Sequence, residues 1–387
     1  MPKVKKGKWN AHLQLTESVL LPVRLEINQN KSEVQFFIHN ANEKIILNQN
    51  TSLENNDSLQ FEFPNFSSYL KVKINSSKNL SGYWYNLNKN NNYRIPFYAS
   101  YSSVDTICNY KDTLAISGKW KTLFSPNTKN EEKAVGLFSN EKNNKIIGTF
   151  LTETGDYRFL EGKNCQSSFY LSCFDGSHAF LFTGQVKNDE ISGVFYSGIH
   201  YQCNWKASKN MSFELRNPDS ITYIKKSLPF QFELKDLMGQ PFSFPNENTQ
   251  NKVNIIQIMG TWCPNCVDES KFFKELQEKY KNKGLQIISV AYETPENFEK
   301  QVSMVQKMKE KLKLDFIFLI GGQANKNVAS EQFSMLNTIC SFPTSIIVNK
   351  KGEVVKIHTG FNGPGTGDIY LNFKKEFEDF IIKQLNL

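Results

Sequence analysis

From Lys8 to about Ala207, apolar and polar residues alternate in short runs broken by Asn, Gly, Ser and Lys. A period of two with frequent breaks predicts β-strands that bury one face. VQFFIHN (34–40), LQFEFPNF (59–66) and YLKVKIN (69–75) are of this kind, each bounded by turn-forming residues. The pattern also repeats: GKWNAHLQL (7–15) opens a first half and LSGYWYN (80–86) nears its end, while SGKWKTLF (117–124) and ISGVFY (191–196) take the matching places in a second. About eight strand candidates fall in each half, the number that closes a small up-and-down barrel or builds a sandwich. Two tandem antiparallel barrel or sandwich units, 1–100 and 101–215, are therefore expected.

The period changes after RNPDS (216–220). VNIIQIM (253–259) is an apolar run of buried-strand type, and from Cys263 to about Lys281 the residues Phe272, Leu276 and Tyr280 recur at four-residue spacing, as in a helix. LQIISVAY (285–292) predicts a second buried strand, and Phe298, Val302, Val305, Met308 and Leu312 mark an amphipathic helix. FIFLI (316–320), a short helix at about 325–337, and a hairpin of TSIIVN (344–349) with VVKIHTG (354–360) follow. A last helix, about 367–384, presents Ile369, Phe373, Phe377, Phe380 and Ile381 on one side. The order β-α-β-α-β-α-β-β-α predicts an α/β domain with a parallel-type sheet.

A chain of 387 residues exceeds one ordinary core, and 39% hydrophobic with 22% charged residues is a globular composition. The net charge of +8 is spread among acids except at Lys3, Lys5, Lys6 and Lys8, which read as a solvated terminus and not as a nucleic-acid surface. No apolar run approaches the roughly 18 residues of a membrane helix. The opening MPKVKKGKWN lacks the apolar stretch of a secretory signal, so the protein is either cytosolic or a mature form whose leader has been removed. Seven cysteines leave at least one thiol unpaired within a monomer, and Cys108, Cys165, Cys173, Cys203 and Cys340 show no metal-ligand spacing. Cys165 and Cys173 could bridge neighbouring strands. Asp156, Arg158, Glu161, Asp175 and His178 could line a ligand pocket, although hairpin turns select the same residue types.

The chemistry concentrates in GTWCPNC, 260–266. A metal site at Cys263 and Cys266 would need two further ligands in a comparable pattern, and none is present. A structural disulfide across two residues closes too small a loop to stabilise much. The pair instead falls where a buried strand ends and a helix begins, beside unpaired backbone N–H groups that favour a thiolate. Cys263 is thus the expected nucleophile and Cys266, one turn on, the resolving thiol. Pro264 suits a first helical turn and Trp262 gives the sulfur an apolar rim. The chemistry calls for no metal and no cofactor.

On VNIIQIM, on GTWCPNC followed by Asp268 and Glu269, and on SFPTSIIVNKKGEVVKIHTGFNGPGTG (341–367), the chain resembles the thioredoxin-like fold. Within that fold it is similar to the TlpA/ResA-type thiol-disulfide oxidoreductases, also described as redoxin or AhpC/TSA-like, over 228–387. The resemblance implies a cis-proline at Pro343 that presents the backbone of Phe342 to an extended substrate segment. Thioredoxins carry a buried Asp six residues before the first cysteine; Gln257 stands there and cannot take a proton. Glu293 matches in position a glutamate that looks like the active-site acid of ResA-type proteins, and is the expected base for Cys266. The peroxiredoxin pattern P-x-x-x-T-x-x-C is not met, because Ile256 and Gly260 occupy its Pro and Thr places.

The resemblance further implies disulfide-containing protein substrates and a membrane thiol transporter of the DsbD or CcdA kind as electron donor. It implies a place in the periplasm or cell envelope, lipid-anchored or with its leader absent from this chain. The β region resembles one fused ahead of redoxin domains in envelope proteins. Two other functions stay open: a ligand- or peptide-binding β-barrel protein with an accessory redox domain, and a thiol peroxidase.

Overall fold

The computed structural model describes residues 4–30, 33–50, 58–90, 92–101, 114–225 and 229–387, so Lys3 and Cys108 lie outside the described residues. It forms two units, Met1–Thr152 with Tyr157–Glu214, and Glu153–Asp156 with Leu215–Leu387.

In the first unit, strands from Gly7–Gln14 through Arg94–Ser100 close a barrel in which each strand is antiparallel to its neighbours and the last returns to the first, Ala11 facing Ala99. The alternation read along the sequence is the cause. Trp9, Ala11 and Leu13 point inward while Asn10, His12 and Gln14 stay half-exposed. A slip of one residue would exchange the two faces. Phe36 stacks on Phe61 with ring centroids 3.8 Å apart, and Trp84, Ile95 and Phe97 are buried with them. Each such side chain contributes about 1.5–3 kcal/mol relative to its exposed state.

A second barrel follows from Gly118–Phe124 through Tyr201–Lys209, closed by the pairing of those two strands and of Glu132–Asn140 with Lys145–Thr152. Trp120, Phe150, Phe182 and Trp205 fill it. The repeat seen in the sequence has a geometric meaning. In each GKW the glycine takes a left-handed backbone (Gly7 φ 117°, Gly118 φ 120°). In each, the indole N–H folds back on the carbonyl four residues earlier, Trp9 to Lys5 at 3.0 Å and Trp120 to Ile116 at 2.8 Å. The glycines of LSGYWY and ISGVFY also match: a Cβ on Gly82 would lie 2.0 Å from the Lys71 carbonyl oxygen, and one on Gly193 would lie 1.8 Å from that of Thr183.

The two barrels share a core. Phe174, Ala179 and Leu181, around the turn of FDGSHAF, belong to the first barrel's apolar cluster. Phe174 meets Trp84 edge-on at 5.1 Å and Phe63 at 5.2 Å. The Asn40 side chain exchanges two 3.0 Å hydrogen bonds with the Phe174 backbone, and Asn86 donates to the Ser177 carbonyl at 3.1 Å.

Most of the charged residues considered for a ligand pocket are held in ion pairs, and Glu161 also lines a cavity with Arg24, His39 and Lys145. Arg158 pairs with Glu43 at 3.0 Å and Asp175 at 3.5 Å, Asp175 accepts from the amides of Ser177 and His178, and Glu161 pairs with Lys145 and Arg24. Asp156 belongs to the other unit. Cys165 is disulfide-bonded whereas Cys173 is a buried free thiol, so the Cys165 to Cys173 bridge is not formed.

The second unit is built on a sheet in the order Pro241–Phe244, Phe232–Asp236, Ile317–Gln323, Leu285–Glu293, Val253–Met259, Thr344–Val348, Val354–Thr359. Helices α1 (Pro264–Tyr280), α2 (Phe298–Leu312), α3 (Lys326–Gln332) and α4 (Asp368–Leu385) connect or follow these strands. Only Val253–Met259, Leu285–Glu293 and Ile317–Gln323 run parallel among the described residues. The other pairings are antiparallel, so the sheet is mixed where a parallel type was expected. Hairpins need no crossover helix, and the one at Phe232–Phe244 was not read from the sequence.

Val253–Met259 is buried at every position, which accounts for its apolar character on both faces, and its two polar residues, Asn254 and Gln257, are buried with the rest. α3 is shorter than 325–337 because Phe333 leaves helical backbone and Leu336 turns to bridge Ile224. In α4 the buried side is Phe377, Ile381 and Leu385, while Ile369 is 38% exposed, contrary to its expected place on that side.

Candidate active site

The strand Val253–Met259 delivers the chain into GTWCPNC through Gly260, where a Cβ would lie 2.3 Å from the Trp262 indole nitrogen and 2.8 Å from the Tyr292 carbonyl. That close approach lets Trp262 Nε1 donate to the Tyr292 carbonyl at 2.9 Å and set its ring edge-on to Phe342, 6.0 Å between centroids. Cys263 follows in extended conformation as the N-cap of α1, with Pro264 at the first helical position. Its Sγ accepts from the Cys266 amide at 3.3 Å, and its thiol donates to the Phe342 carbonyl at 3.4 Å. The Phe342–Pro343 peptide is cis. Trp262, Cys263, Cys266 and the Phe342–Pro343 segment are thus brought together. Both cysteines are buried, Cys263 to 7% exposure and Cys266 completely, so Cys263 is the nearer to the surface.

Two buried acids lie beneath this turn. Glu293, the last residue of its strand, accepts from the Thr261 amide at 2.8 Å with one oxygen and from the Thr261 hydroxyl at 2.7 Å with the other. Burial pushes it up to about 7, against the pull of those hydrogen bonds. Glu269 stands one helical turn beyond Cys266 and accepts from Gln257 Nε2 and Ser345 Oγ, both at 2.8 Å. Burial pushes it up to about 8, again opposed by its hydrogen bonds.

Gln257 joins the parts. Its Nε2 also reaches the Cys266 carbonyl at 3.3 Å, and its Oε1 accepts from Ser270 at 3.0 Å and Ser289 at 2.9 Å. A residue that cannot carry a proton therefore links the backbone of the resolving cysteine to one that can. The Cys266 thiol itself is held well above its ordinary value, first by burial, then by its hydrogen bond to Cys263 and the nearby charge, with a smaller contribution from Glu269.

This arrangement offers one sulfur at a helix N-terminus near the surface, one fully buried sulfur held as thiol, and two carboxyls tuned close to neutrality. Glu269 was part of the sequence motif without a role. Its spacing of three from Cys266 puts the two on one helix face, and that was the available signal. Cys340 is a half-exposed free thiol. Among the described residues no group of three or more His, Cys, Asp or Glu is arranged to hold a metal.

Residues 224–370 match the Redoxin family. The chain is 32% identical over 129 residues to thiol-disulfide oxidoreductase ResA of Halalkalibacterium halodurans, covering 33% of this chain and 65% of that protein. It is 30% identical over 137 residues to thiol-disulfide oxidoreductase ResA of Bacillus thuringiensis subsp. konkukian, covering 34% of this chain and 68% of that protein. The chain thus spans slightly less than two thirds of the Halalkalibacterium relative. Among solved structures it is similar to StoA from Bacillus subtilis, 21% identical, covering 40% of this chain and 98% of that one, with a TM-score of 0.28.

Proposed function

The chain belongs to the redoxin family of thioredoxin-like proteins, among the ResA-type thiol-disulfide oxidoreductases, and from that premise we propose that it reduces disulfides in proteins through Cys263 and Cys266. The observation that carries this reading is the placement of Cys263 Sγ at the start of α1, 3.3 Å from the Cys266 amide and 3.4 Å from the Phe342 carbonyl. A nucleophile there has its partner one turn away and a backbone edge beside it for an extended substrate.

In the forward step the Cys263 thiolate attacks one sulfur of a substrate disulfide. The Cys263–substrate bond forms as the substrate bond breaks, and the departing sulfur takes a proton. Cys266 then gives its proton to a buried carboxylate, and its thiolate attacks Cys263 Sγ. The second substrate sulfur leaves as the Cys263–Cys266 bond forms and takes the proton held on that carboxyl, so the substrate gains two electrons and two protons, one from solvent and one that began on Cys266, and the protein keeps a Cys263–Cys266 disulfide.

Glu293 is the proposed acceptor for the Cys266 proton on the strand side, and Glu269, coupled to Cys266 through Gln257, is a second. Trp262 forms the apolar rim, and Pro343 fixes the backbone edge. Glu293→Gln should slow resolution of the mixed disulfide in stopped-flow thiol release; unchanged kinetics would leave the task to Glu269.

A membrane thiol transporter of the DsbD or CcdA type is the proposed electron donor, and the cell envelope the proposed location. The disulfide at Cys165 supports an oxidising compartment. The working division into 1–100, 101–215 and 228–387 belongs to the same proposal.

The decisive experiment is the reduction potential of the pair, from equilibration in thiol buffers followed by alkylation and mass spectrometry. A value near about −270 mV supports a reductase, one near about −120 mV an oxidant, and a pair that never oxidises removes the redox reading.

A further inference from the structure

The second unit includes four residues far in sequence from the rest of it, Glu153–Asp156, which also fall outside the stretch that matches the Redoxin family. Their contacts converge on the segments that surround the dithiol. Asn265, the residue between Pro264 and Cys266, donates its Nδ2 to the Asp156 carbonyl at 3.2 Å. The buried Asp156 carboxylate accepts from the Gly363 amide at 2.7 Å. Ser341, two residues before Pro343, donates its hydroxyl to the Thr154 carbonyl at 3.0 Å.

The fit is close at the backbone level. A Cβ on Gly155 (φ 138°) would lie 2.4 Å from Asn265 Nδ2 and 3.0 Å from the Phe361 carbonyl. One on Gly360 (φ 79°) would lie 2.8 Å from the Thr154 carbonyl carbon. The cysteine turn, the segment before the cis-proline and the loop after the last strand are therefore all tied to one short tetrapeptide.

We propose that Glu153–Asp156 is a fixed wall of the dithiol site, which restricts the side from which a substrate disulfide reaches Cys263. The polar groups that the cysteine turn and the pre-proline segment present on this side are already engaged by the chain itself, and the space is filled down to a bare glycine. The approach that remains runs over Trp262 and Phe342, whose rings stand edge-on 6.0 Å apart. The favoured substrate class is thus a disulfide in an exposed, extended segment flanked by apolar side chains. A bulky folded surface on the turn's side is excluded. Asp156 acts as a positioning residue, and this assignment of substrate class rests on Cys263 being the attacking thiol.

The test is alkylation of the reduced full-length chain with N-ethylmaleimide and, separately, a polyethylene-glycol maleimide, read at the Cys263 peptide by mass spectrometry. Cys203, a half-exposed free thiol of the other unit, is the internal control. Asp156→Ala should raise the ratio of bulky to small reagent rate at Cys263 by about tenfold, a range that pocket contacts command. Asp156→Asn, which keeps an oxygen for the Gly363 amide, should restore the wild-type ratio. Ser341→Ala, which loses only the hydroxyl bond to Thr154, should shift it the same way by less, and serves if Asp156→Ala does not fold. An unchanged ratio at Cys263, or an equal rise at Cys263 and Cys203, overturns the wall. The readout needs no disulfide exchange, so failure of the wild-type pair to form a disulfide would sink the redox reading while the alkylation ratio still decides this one.

Discussion

Asp175 in the first unit is 2% exposed, and Glu269 and Glu293 in the second are fully buried, yet the two units treat their buried carboxyls in opposite ways. Burial alone would raise Asp175, but His178 and Arg158 outweigh it and hold the group below the usual carboxylate range. It is a charged, paired fixture. Among the described residues Glu269 and Glu293 have hydroxyl, amide and backbone N–H partners, and burial prevails, to about 8 and about 7. The difference teaches how to tell a supporting carboxylate from a reactive one inside the same chain: the first is neutralised by a cation, the second by a proton it can exchange.

Breaking the comparison at its reactive end should have the largest effect. Cys263→Ser should abolish disulfide reduction in an insulin precipitation assay and leave the thermal transition of the first unit in place. Cys266→Ser should accumulate a substrate adduct at Cys263, visible as an intact-mass increase. Next, Glu269→Gln should slow resolution by about 10²-fold, the scale of general-base catalysis, and remove the rise of the resolution rate with pH near about 8. Arg158→Ala tests the other end. Stripping the cation from Asp175 and Glu43 should destabilise the first unit by about 3–5 kcal/mol in urea titration while the redox rate stays unchanged.

The pH dependence sharpens the same contrast. Asp175, depressed in the folded state, contributes stability that is present above the usual carboxylate value and is lost as pH falls through its folded value. Glu269 and Glu293, raised in the folded state, contribute stability that is present below their ordinary value of 4.5 and is lost as pH rises through about 8 and about 7 respectively. Tryptophan and far-UV melts across pH should show the first unit weakening on the acid side and the second as pH rises from about 4.5 to about 8. The smallest expected effect is at the matched glycines. Gly82→Ala and Gly193→Ala each force a Cβ against a neighbouring strand carbonyl and should each cost about 1–3 kcal/mol, in similar measure if the barrels are true repeats.

Much of this was legible in the sequence because the signals were local. Alternation over seven to ten residues revealed the strands, the paired GKW and SG motifs revealed the repeat, and strand-then-CxxC-then-helix revealed the dithiol. What escaped was encoded by contacts distant along the chain. Asn40 meets Phe174 across 134 positions, and Asp156 meets Gly363 across 207, and neither leaves a trace in local pattern. Glu269 was in plain view, but its proton is held by burial against strands distant in sequence, and the hydrogen bonds from Gln257 and Ser345 there oppose it. Gln257 looked like a lost proton carrier because its partner lies on the helix. The Phe232–Phe244 hairpin and the antiparallel setting of Thr344–Val348 against Val253–Met259 were hidden for a different reason, since apolar runs do not state their direction, whereas the 344–360 hairpin was legible.

The FDGSHAF hairpin carries a consequence for how the first unit melts. With Phe174 seated between Phe63 and Trp84, neither barrel can lose its order without opening the apolar centre of the other. Residues 7–209 should therefore behave as one foldon and give one calorimetric peak whose van 't Hoff and calorimetric enthalpies agree. A chain severed between Tyr101 and Leu114 should release a first fragment that binds a hydrophobic dye at the end where Phe174 belonged, and that recovers a closed core only when the second fragment is added back.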